Sequence, residues 1–580
     1  MKFFRASART AHGYIRATLL RSRASSLSSL LVALLIPIFT FAEEKNSPPN
    51  IILILADDLG YSDLGCYGGE IRTPNLDGLA ENGLRMTQLY NTSRCCSTRA
   101  SLLTGLYPHQ AGVGAMMADN GLPGYRGFLT DRCVTIPSIL QAQGYQTLMS
   151  GKWHLQGQGN PDCIPTKHGF DEFYGCFKAY ASFYRSDIFV RLPEDRASPP
   201  TKTDFYATDA ITDNALTFLK QARKHTAPYF LYLAYNAPHF PLQAPKEMID
   251  KYVPTYEKGW DQIREDRYSR MLELGLIPSE AMLSPRGRVT KVPNRNRESD
   301  YYNQQIPAWE SLPANRQADL ARRMATYAAM VEIMDRNIGR LIDDLKEANE
   351  LENTLVVFLS DNGACAEWDP FGFDNNPYPK NKLYEGAHLD EIGQKGTFHS
   401  YGTGWANACN TPFRLYKHYS HEGGISSPFI LHWPDRLKKK GTIDRQPAHI
   451  IDLAAMFLEE AHATPPSTWN GKKILPLSGI SLSPVMEGEK LKERPLFFEH
   501  EGNRAVRLGP WKTVWTNDTQ EWELYRIDRD RAELNDLASS YPKRAAAMDR
   551  SWHKWAAANH VETAQVPQPS KGMPTIYYLP

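Results

Sequence analysis

The 580-residue chain carries 66 Lys and Arg against 65 Asp and Glu, a formal net charge of +1, with 42% hydrophobic and 23% charged residues. That balance excludes a global field gathering nucleic acid or an acidic membrane surface, so any affinity for an anion must come from a local cluster. The length exceeds what one small core fills and predicts a large domain with a smaller one.

Residues 1–42 read as a secretory signal. Lys2, Arg5, Arg9, Arg16, Arg21 and Arg23 precede an apolar run from Leu30 to Phe41, and Thr40-Phe41-Ala42 marks the cleavage region. The run is shorter than the roughly 20 residues of a membrane-spanning helix. Export to the periplasm or the medium, without stable membrane insertion, is the expectation; an uncleaved anchor or an organellar transit peptide is the alternative.

Across 45–463, strand and helix signals alternate. Asn50–Ala56 is a continuous apolar run ending at Asp57-Asp58, which suits a strand buried on both faces. Cys95-Cys96-Ser97-Thr98-Arg99 opens a short apolar helix that closes at Thr104-Gly105. The unpaired N–H groups of its first turn, with Arg99, make an anion site. Tyr145–Met149 reads as a strand leading into Gly151-Lys152-Trp153-His154-Leu155, where alternation puts Lys152 and His154 on one side. Tyr229–Tyr235 is a third strand, followed by Asn236-Ala237-Pro238-His239. The stretch Tyr252–Ala314 is polar and poorly periodic, and predicts a long insertion over one face. Met324, Tyr327, Val331, Met334, Ile338, Leu341 and Leu345 then stripe a long amphipathic helix. Thr354–Ser360 is a strand running into Asp361-Asn362-Gly363, and Lys417 to Gly424 precedes a helix at Ile450–Ala461. From 464 to 580 the pattern predicts a smaller α+β subdomain, with short strands at 494–499, 505–508 and 511–515 and a terminal helix.

This alternation predicts an α/β sheet with helices on both faces and ligands at the carboxyl ends of the strands. Asp57, His239 and Asp361 all fall just past strand ends, which groups them into one site. Adjacent carboxylates repel unless neutralised, and an oxygen-only set with Asn362 favours calcium or magnesium over zinc. Taken alone, Asp57-Asp58 can cap a helix and Ser360–Gly363 can be an Asx-Gly turn. The eight cysteines show no CxxC pair. Cys163 and Cys176 are the most local candidate bridge, with burial as small apolar side chains the equal alternative.

In this order, from Asn50 to Trp433, the motifs resemble those of type I sulfatases of the alkaline phosphatase-like superfamily. The signature of that family is Cys-x-Pro/Ala-x-Arg followed, after four intervening residues, by Thr-Gly; here it is Cys95 to Gly105, with Ser97 at the third position and a second thiol at Cys96. The resemblance implies a large mixed central sheet flanked by helices. It implies that Cys95 is oxidised by a formylglycine-generating maturation enzyme, the hydrated aldehyde being the nucleophile. It places a divalent ion, Ca²⁺ before Mg²⁺, on Asp57, Asp58, Asp361, Asn362 and residue 95. Lys152, His239 and Lys417 would bind sulfate, with His239 assisting the leaving group, His154 contacting the aldehyde hydrate and Arg99 holding residue 95. Glu499–Arg507 and Trp522–Tyr525 resemble the C-terminal part of arylsulfatase-type members, with His500, Asn503 and Arg504 expected at the substrate rim. The implied activity is removal of sulfate from an alcohol or phenol, expected to be a sulfated carbohydrate. The alternatives are a phosphodiesterase or phosphonate monoester hydrolase of the same superfamily, or an inactive homologue that binds sulfated glycans.

Overall fold

The computed structural model describes residues 48–563 apart from 197, 290–300, 302, 368 and 375–380; the expected signal segment lies outside the described residues. The first strand, β1 (Asn50–Ala56), is the axis of the fold. Its residues alternate between two cores: Ile52, Ile54 and Ala56 join one, and Ile51, Leu53 and Leu55 join the other. A strand with no polar face is stable only between two helical layers, and each of its fully buried Ile and Leu side chains contributes about 1.5–3 kcal/mol.

Nine further strands complete the sheet among the described residues: β2 (Leu84–Tyr90), β3 (Gln146–Lys152), β4 (Glu172–Cys176), β5 (Val190–Leu192), β6 (Tyr229–Ala234), β7 (Thr354–Ser360), β8 (Ser426–His432), β9 (Thr442–Asp444) and β10 (Ala448–His449). Their order is β10-β2-β8-β7-β1-β6-β3-β4-β5, with β9 also on β2. β1 runs parallel to β6 and β7, whereas β8 is antiparallel to both β7 and β2. The sheet is therefore mixed. The helix Ala314–Glu347 carries Met324, Tyr327, Val331 and Met334 into the first core. The helices Cys95–Thr104 and Ile451–Glu460 cover the other face.

The stretch expected as a polar insertion is partly helical instead. Lys246–Tyr256 and Gly259–Glu273 form two helices. The first packs along Ala314–Glu347, which Ala207–Ala222 and Pro74–Glu81 also cover, so that helix is buried nearly all round; the second packs on the helix Gly402–Cys409. Periodicity missed the second of them because its inner face includes Arg264 and Arg267. Arg267 is fully buried and pairs with Asp63 at 2.6 Å and Glu70 at 2.7 Å.

A small ribbon, β11 (Thr468–Trp469) with β12 (Lys472–Lys473), precedes an antiparallel meander of β13 (Leu496–His500), β14 (Asn503–Leu508), β15 (Trp511–Trp515) and β16 (Trp522–Arg526). The helix Pro542–Ala558 packs Met548, Trp552 and Trp555 against Val506, Trp511 and Leu524 of that sheet. The meander is tied to the larger sheet by a dry ion cluster: Lys512 lies 2.9 Å from Glu422 and 2.8 Å from Glu533, and Arg531 lies 2.8 Å from Glu422. All eight cysteines are unpaired, Cys163 and Cys176 included. Among the described residues no helix is long and apolar enough to cross a membrane.

Candidate functional site

The carboxyl ends of β1, β3, β6 and β7 bring polar and charged groups from six segments together. Asp57 and Asp58 leave β1, with Asp58 turned into the left-handed region at φ 65°. Asp361 and Asn362 leave β7, and the two turns interlock: Asp58 N–H donates to Asp361 Oδ1 (3.2 Å), and Asn362 Nδ2 donates to Asp58 Oδ1 (2.6 Å). Gly151 lets β3 deliver its last residue, Lys152, to this place. It sits at φ 117°, and a Cβ there would lie 1.8 Å from the Ala234 carbonyl oxygen of β6.

From the helix Cys95–Thr104, Arg99 reaches back across the sheet edge. It donates to Asp361 Oδ2 at 2.8 and 3.2 Å and to the Lys152 carbonyl at 2.8 Å. Lys152 Nζ lies 2.6 Å from Asp57 Oδ2, and Lys417 Nζ lies 2.9 Å from Asp58 Oδ2. His239 Nε2 approaches that same Asp58 oxygen at 3.3 Å. His239 Nδ1 contacts the Phe240 carbonyl at 2.6 Å; a carbonyl only accepts, so Nδ1 carries the hydrogen. Ser97, where the family pattern has Pro or Ala, donates to the Val113 carbonyl at 2.8 Å. Its hydroxyl is thus held by backbone.

Charge and burial set the protonation states. Burial, reinforced by neighbouring carboxylates, pushes Asp57 up to about 6 and Asp361 well above the ordinary carboxylate range, against Lys152 and Arg99. For Asp58 burial pulls the same way, but Lys417 and His239 outweigh it and hold the carboxyl low. Burial pushes His154 and His239 down to about 4. The Cys95 thiol is held well below its usual range, first by the Cys96 thiol and, against burial, by Lys152 and His154.

These residues fit a hard divalent cation. Asp57 Oδ1 and Asn362 Oδ1 are buried acceptors with no hydrogen-bond partner, and donor atoms of Asp57, Asp58 and His239 fall within 4.8 Å of one another. An oxygen-rich set of closely spaced carboxylates with orphaned acceptors matches the chemistry of calcium or magnesium.

The structure thus gathers Asp57, Asp58, Arg99, Lys152, His239, Asp361, Asn362 and Lys417 into one network, with Cys95 and His154 bearing on it electrostatically. The C-terminal candidates separate. His500 is fully buried and neither ring nitrogen makes a hydrogen bond. Asn503 is spent on backbone, donating to the His418 carbonyl and accepting from Asn517 N–H. Arg504 is not brought to the rim: its guanidinium lies over Trp552 (4.6 Å) and Trp515 (5.2 Å) and donates to the Thr563 carbonyl. Strand alternation on β14 sends it to the helix side, opposite Asn503. Three neighbours of the network escaped the sequence reading. Arg94 Nη1 contacts His418 Nε2 at 2.7 Å, and Glu367 Oε1 lies 3.1 Å from that same nitrogen. Arg94 and His418 adjoin motif residues, whereas no pattern marks Glu367.

A family model described as Sulfatase matches residues 49–463, and one described as N-sulphoglucosamine sulphohydrolase, C-terminal, matches 413–554. The chain is 34% identical over 554 residues to an uncharacterized sulfatase of Schizosaccharomyces pombe, covering 90% of this chain and 96% of the relative. It is 36% identical over 451 residues to an arylsulfatase of Klebsiella aerogenes, covering 75% and 92%. Among solved structures it is similar to Ps i-CgsB in complex with k-i-k-neocarrahexaose, with TM-score 0.62, 26% identity and coverage of 90% and 96%.

Proposed function

The chain belongs to the sulfatase family, type I enzymes of the alkaline phosphatase-like superfamily that hydrolyse sulfuric esters, and from that premise we propose that it desulfates a carbohydrate, using formylglycine at position 95 and a bound divalent cation, Ca²⁺ in preference to Mg²⁺. The observation that carries the reading is the pairing of Lys152 with Asp57 and of Lys417 and His239 with Asp58 around a set of orphaned oxygen acceptors. Two lysines and a histidine held at a cation site make a cradle for a tetrahedral anion.

The cation would sit on Asp57, Asp58, Asp361, Asn362 and residue 95, and would offset the carboxylate repulsion while drawing electrons from a sulfate oxygen. Formylglycine, once formed, supplies a hydroxyl nucleophile that a thiol does not. The side chains of the chain do the rest. Lys152 and Lys417 take the charge of the sulfate oxygens as sulfur is attacked. His239, its Nδ1 hydrogen committed to the Phe240 carbonyl, moves a proton at Nε2 and delivers it to the departing alcohol oxygen. An anionic ester beside it raises its proton affinity, opposing the effect of burial. His154, kept neutral by burial, accepts a proton from residue 95 when sulfate is expelled. Arg99 holds Asp361 and the Lys152 backbone, and positions residue 95 without touching substrate.

The carbohydrate part of the reading is supported by the oligosaccharide in the similar Ps i-CgsB structure and rests on family likeness. The test is turnover by matured enzyme of galactose 6-sulfate, N-acetylglucosamine 6-sulfate, 4-nitrophenyl sulfate and bis(4-nitrophenyl) phosphate. Sulfated sugars turned over are the expected result, and faster cleavage of the phosphate diester would overturn it.

A further inference from the structure

The turn of Asp57 and Asp58, the turn of Asp361 and Asn362 and the segment of Lys417 share one side-chain partner. Asn410, just past the helix Gly402–Cys409, is fully buried. Its Oδ1 accepts the Ala364 N–H (3.1 Å), next to the Asp361 turn, and the Tyr61 N–H (3.4 Å), from the chain that follows Asp58. Its Nδ2 donates to the Leu415 carbonyl (3.0 Å) and the Gly423 carbonyl (2.7 Å), on either side of Lys417. N–H groups only donate and carbonyls only accept, so these partners fix which way the amide faces. All four of its bonding positions are used.

The segments it joins are tight and strained. Leu415, two residues before Lys417, stands in the left-handed region at φ 63°, a conformation unfavourable to a leucine. Its carbonyl is one of the two that Asn410 holds. A Cβ on Gly363 would lie 1.8 Å from the Gly423 carbonyl oxygen and 3.2 Å from Asn410 Nδ2, so the two turns close with no room for a side chain. The backbone adds bonds across the same seam, Lys417 N–H to the Ala364 carbonyl (3.2 Å) and Gly363 N–H to the Gly424 carbonyl (3.1 Å). Each of those joins two segments, whereas Asn410 bonds all three.

We propose that Asn410 is a positioning residue of the sulfatase reaction, setting Lys417 against Asp58 and tying that placement to the two turns that would hold the cation. This deepens the sulfatase reading and rests on it. Asn410 acts through other groups, since all its side-chain bonds run to backbone. Lys417 Nζ lies 2.9 Å from Asp58 Oδ2, and a displacement of about 1 Å at such a group can cost about a hundredfold in rate. Without the Nδ2 donors two buried carbonyls lose their partner, and Leu415 is free to leave the left-handed region and carry Lys417 with it.

The test uses matured full-length enzyme, 4-nitrophenyl sulfate at saturating Ca²⁺, and calorimetric titration with calcium. Asn410→Asp keeps an acceptor for Ala364 and Tyr61 and loses both donors. It should lower kcat about tenfold or more, with most of the loss in kcat and not in KM, and leave calcium affinity within about threefold. Asn410→Ala loses both sides, and should lower kcat alike and weaken calcium binding about tenfold. In a Lys417→Ala background either substitution should lower kcat less than about twofold further, because the lysine it positions is gone. Assays run well below each variant's unfolding midpoint keep folding defects apart, and Asn410→Ala carries the cycle if Asn410→Asp does not fold. A lowered midpoint with kcat unchanged, or an undiminished loss in the Lys417→Ala background, would overturn the proposal. A wild-type enzyme that cleaves bis(4-nitrophenyl) phosphate but not the sulfate ester would instead sink the sulfatase reading, and the same cycle run on the diester would still decide the role of Asn410.

Discussion

Lys417 Nζ sits 2.9 Å from Asp58 Oδ2, although 359 residues of chain separate the two. Both are buried, and the pair lies where a sulfate oxygen and a cation would meet. On the proposed function the lysine would have a second task once substrate arrives, which a purely structural ion pair would not. Lys417→Ala should lower kcat for 4-nitrophenyl sulfate about 10²–10³-fold, the usual cost of one donor aimed at developing charge. A change confined to KM would assign it to ground-state binding alone.

The strained carboxylate set predicts a proton balance for metal removal. Asp57 is pushed upward by burial and then by Asp58, and Asp361 by burial and then by Asp57; a bound cation would let both ionise. Adding Ca²⁺ to chelated protein near pH 6 should release protons, measurable in weak buffer, and should restore activity. It should also raise the unfolding free energy by about 2.7 kcal/mol at a hundredfold excess over Kd. Calcium binding without proton release would contradict this account of the site.

The ion cluster between the meander and the large sheet should dominate stability at that seam. Lys512 is fully buried between Glu422 and Glu533. Lys512→Met leaves Glu533 facing one fewer cation in a dry interior and should cost about 3–5 kcal/mol in urea unfolding. Because Glu422 closes the segment that begins at Lys417, kcat should fall with stability in this variant.

His449 predicts a pH dependence away from the active site. It is fully buried between Tyr107 and Phe498, and its Nδ1 accepts the Ile451 N–H at 3.3 Å. Burial, with Arg494 acting in the same direction, pushes it down to about 3 from an ordinary value of 6.5. The unfolded chain therefore takes up a proton first as pH falls, and stability drops between pH 6.5 and about 3 by about 1.4 kcal/mol per unit for this group. His449→Asn keeps an acceptor for Ile451 and should flatten the slope by that amount. Equal slopes for both proteins would place the titration elsewhere.

Much of this architecture can be read from residues whose burial is continuous. Asn50–Ala56, Tyr229–Ala234 and Thr354–Ser360 are strands because no polar residue interrupts them, and their ends locate Asp57, His239 and Asp361. What stayed hidden depends on pairing across the chain. The helix Gly259–Glu273 buries arginines that look solvent-facing until Asp63 and Glu70 are seen to meet Arg267. Arg504 looks like an anion ligand until Trp515 and Trp552 are seen to stack beneath it. The aromatic cluster of Tyr180, Phe240 and Phe398 has no sequence period, because the three rings come from separate loops and become neighbours only in the folded chain.

Cys95 is 2% exposed, in a helix whose ten residues are all buried. If Cys95 is converted as proposed, a maturation enzyme would have to reach it before this helix is buried. Oxidation would then compete with folding, and a molecule that folded first would keep its thiol sealed. The active fraction of a preparation would in that case record the order of two events during synthesis and not the stability of the product.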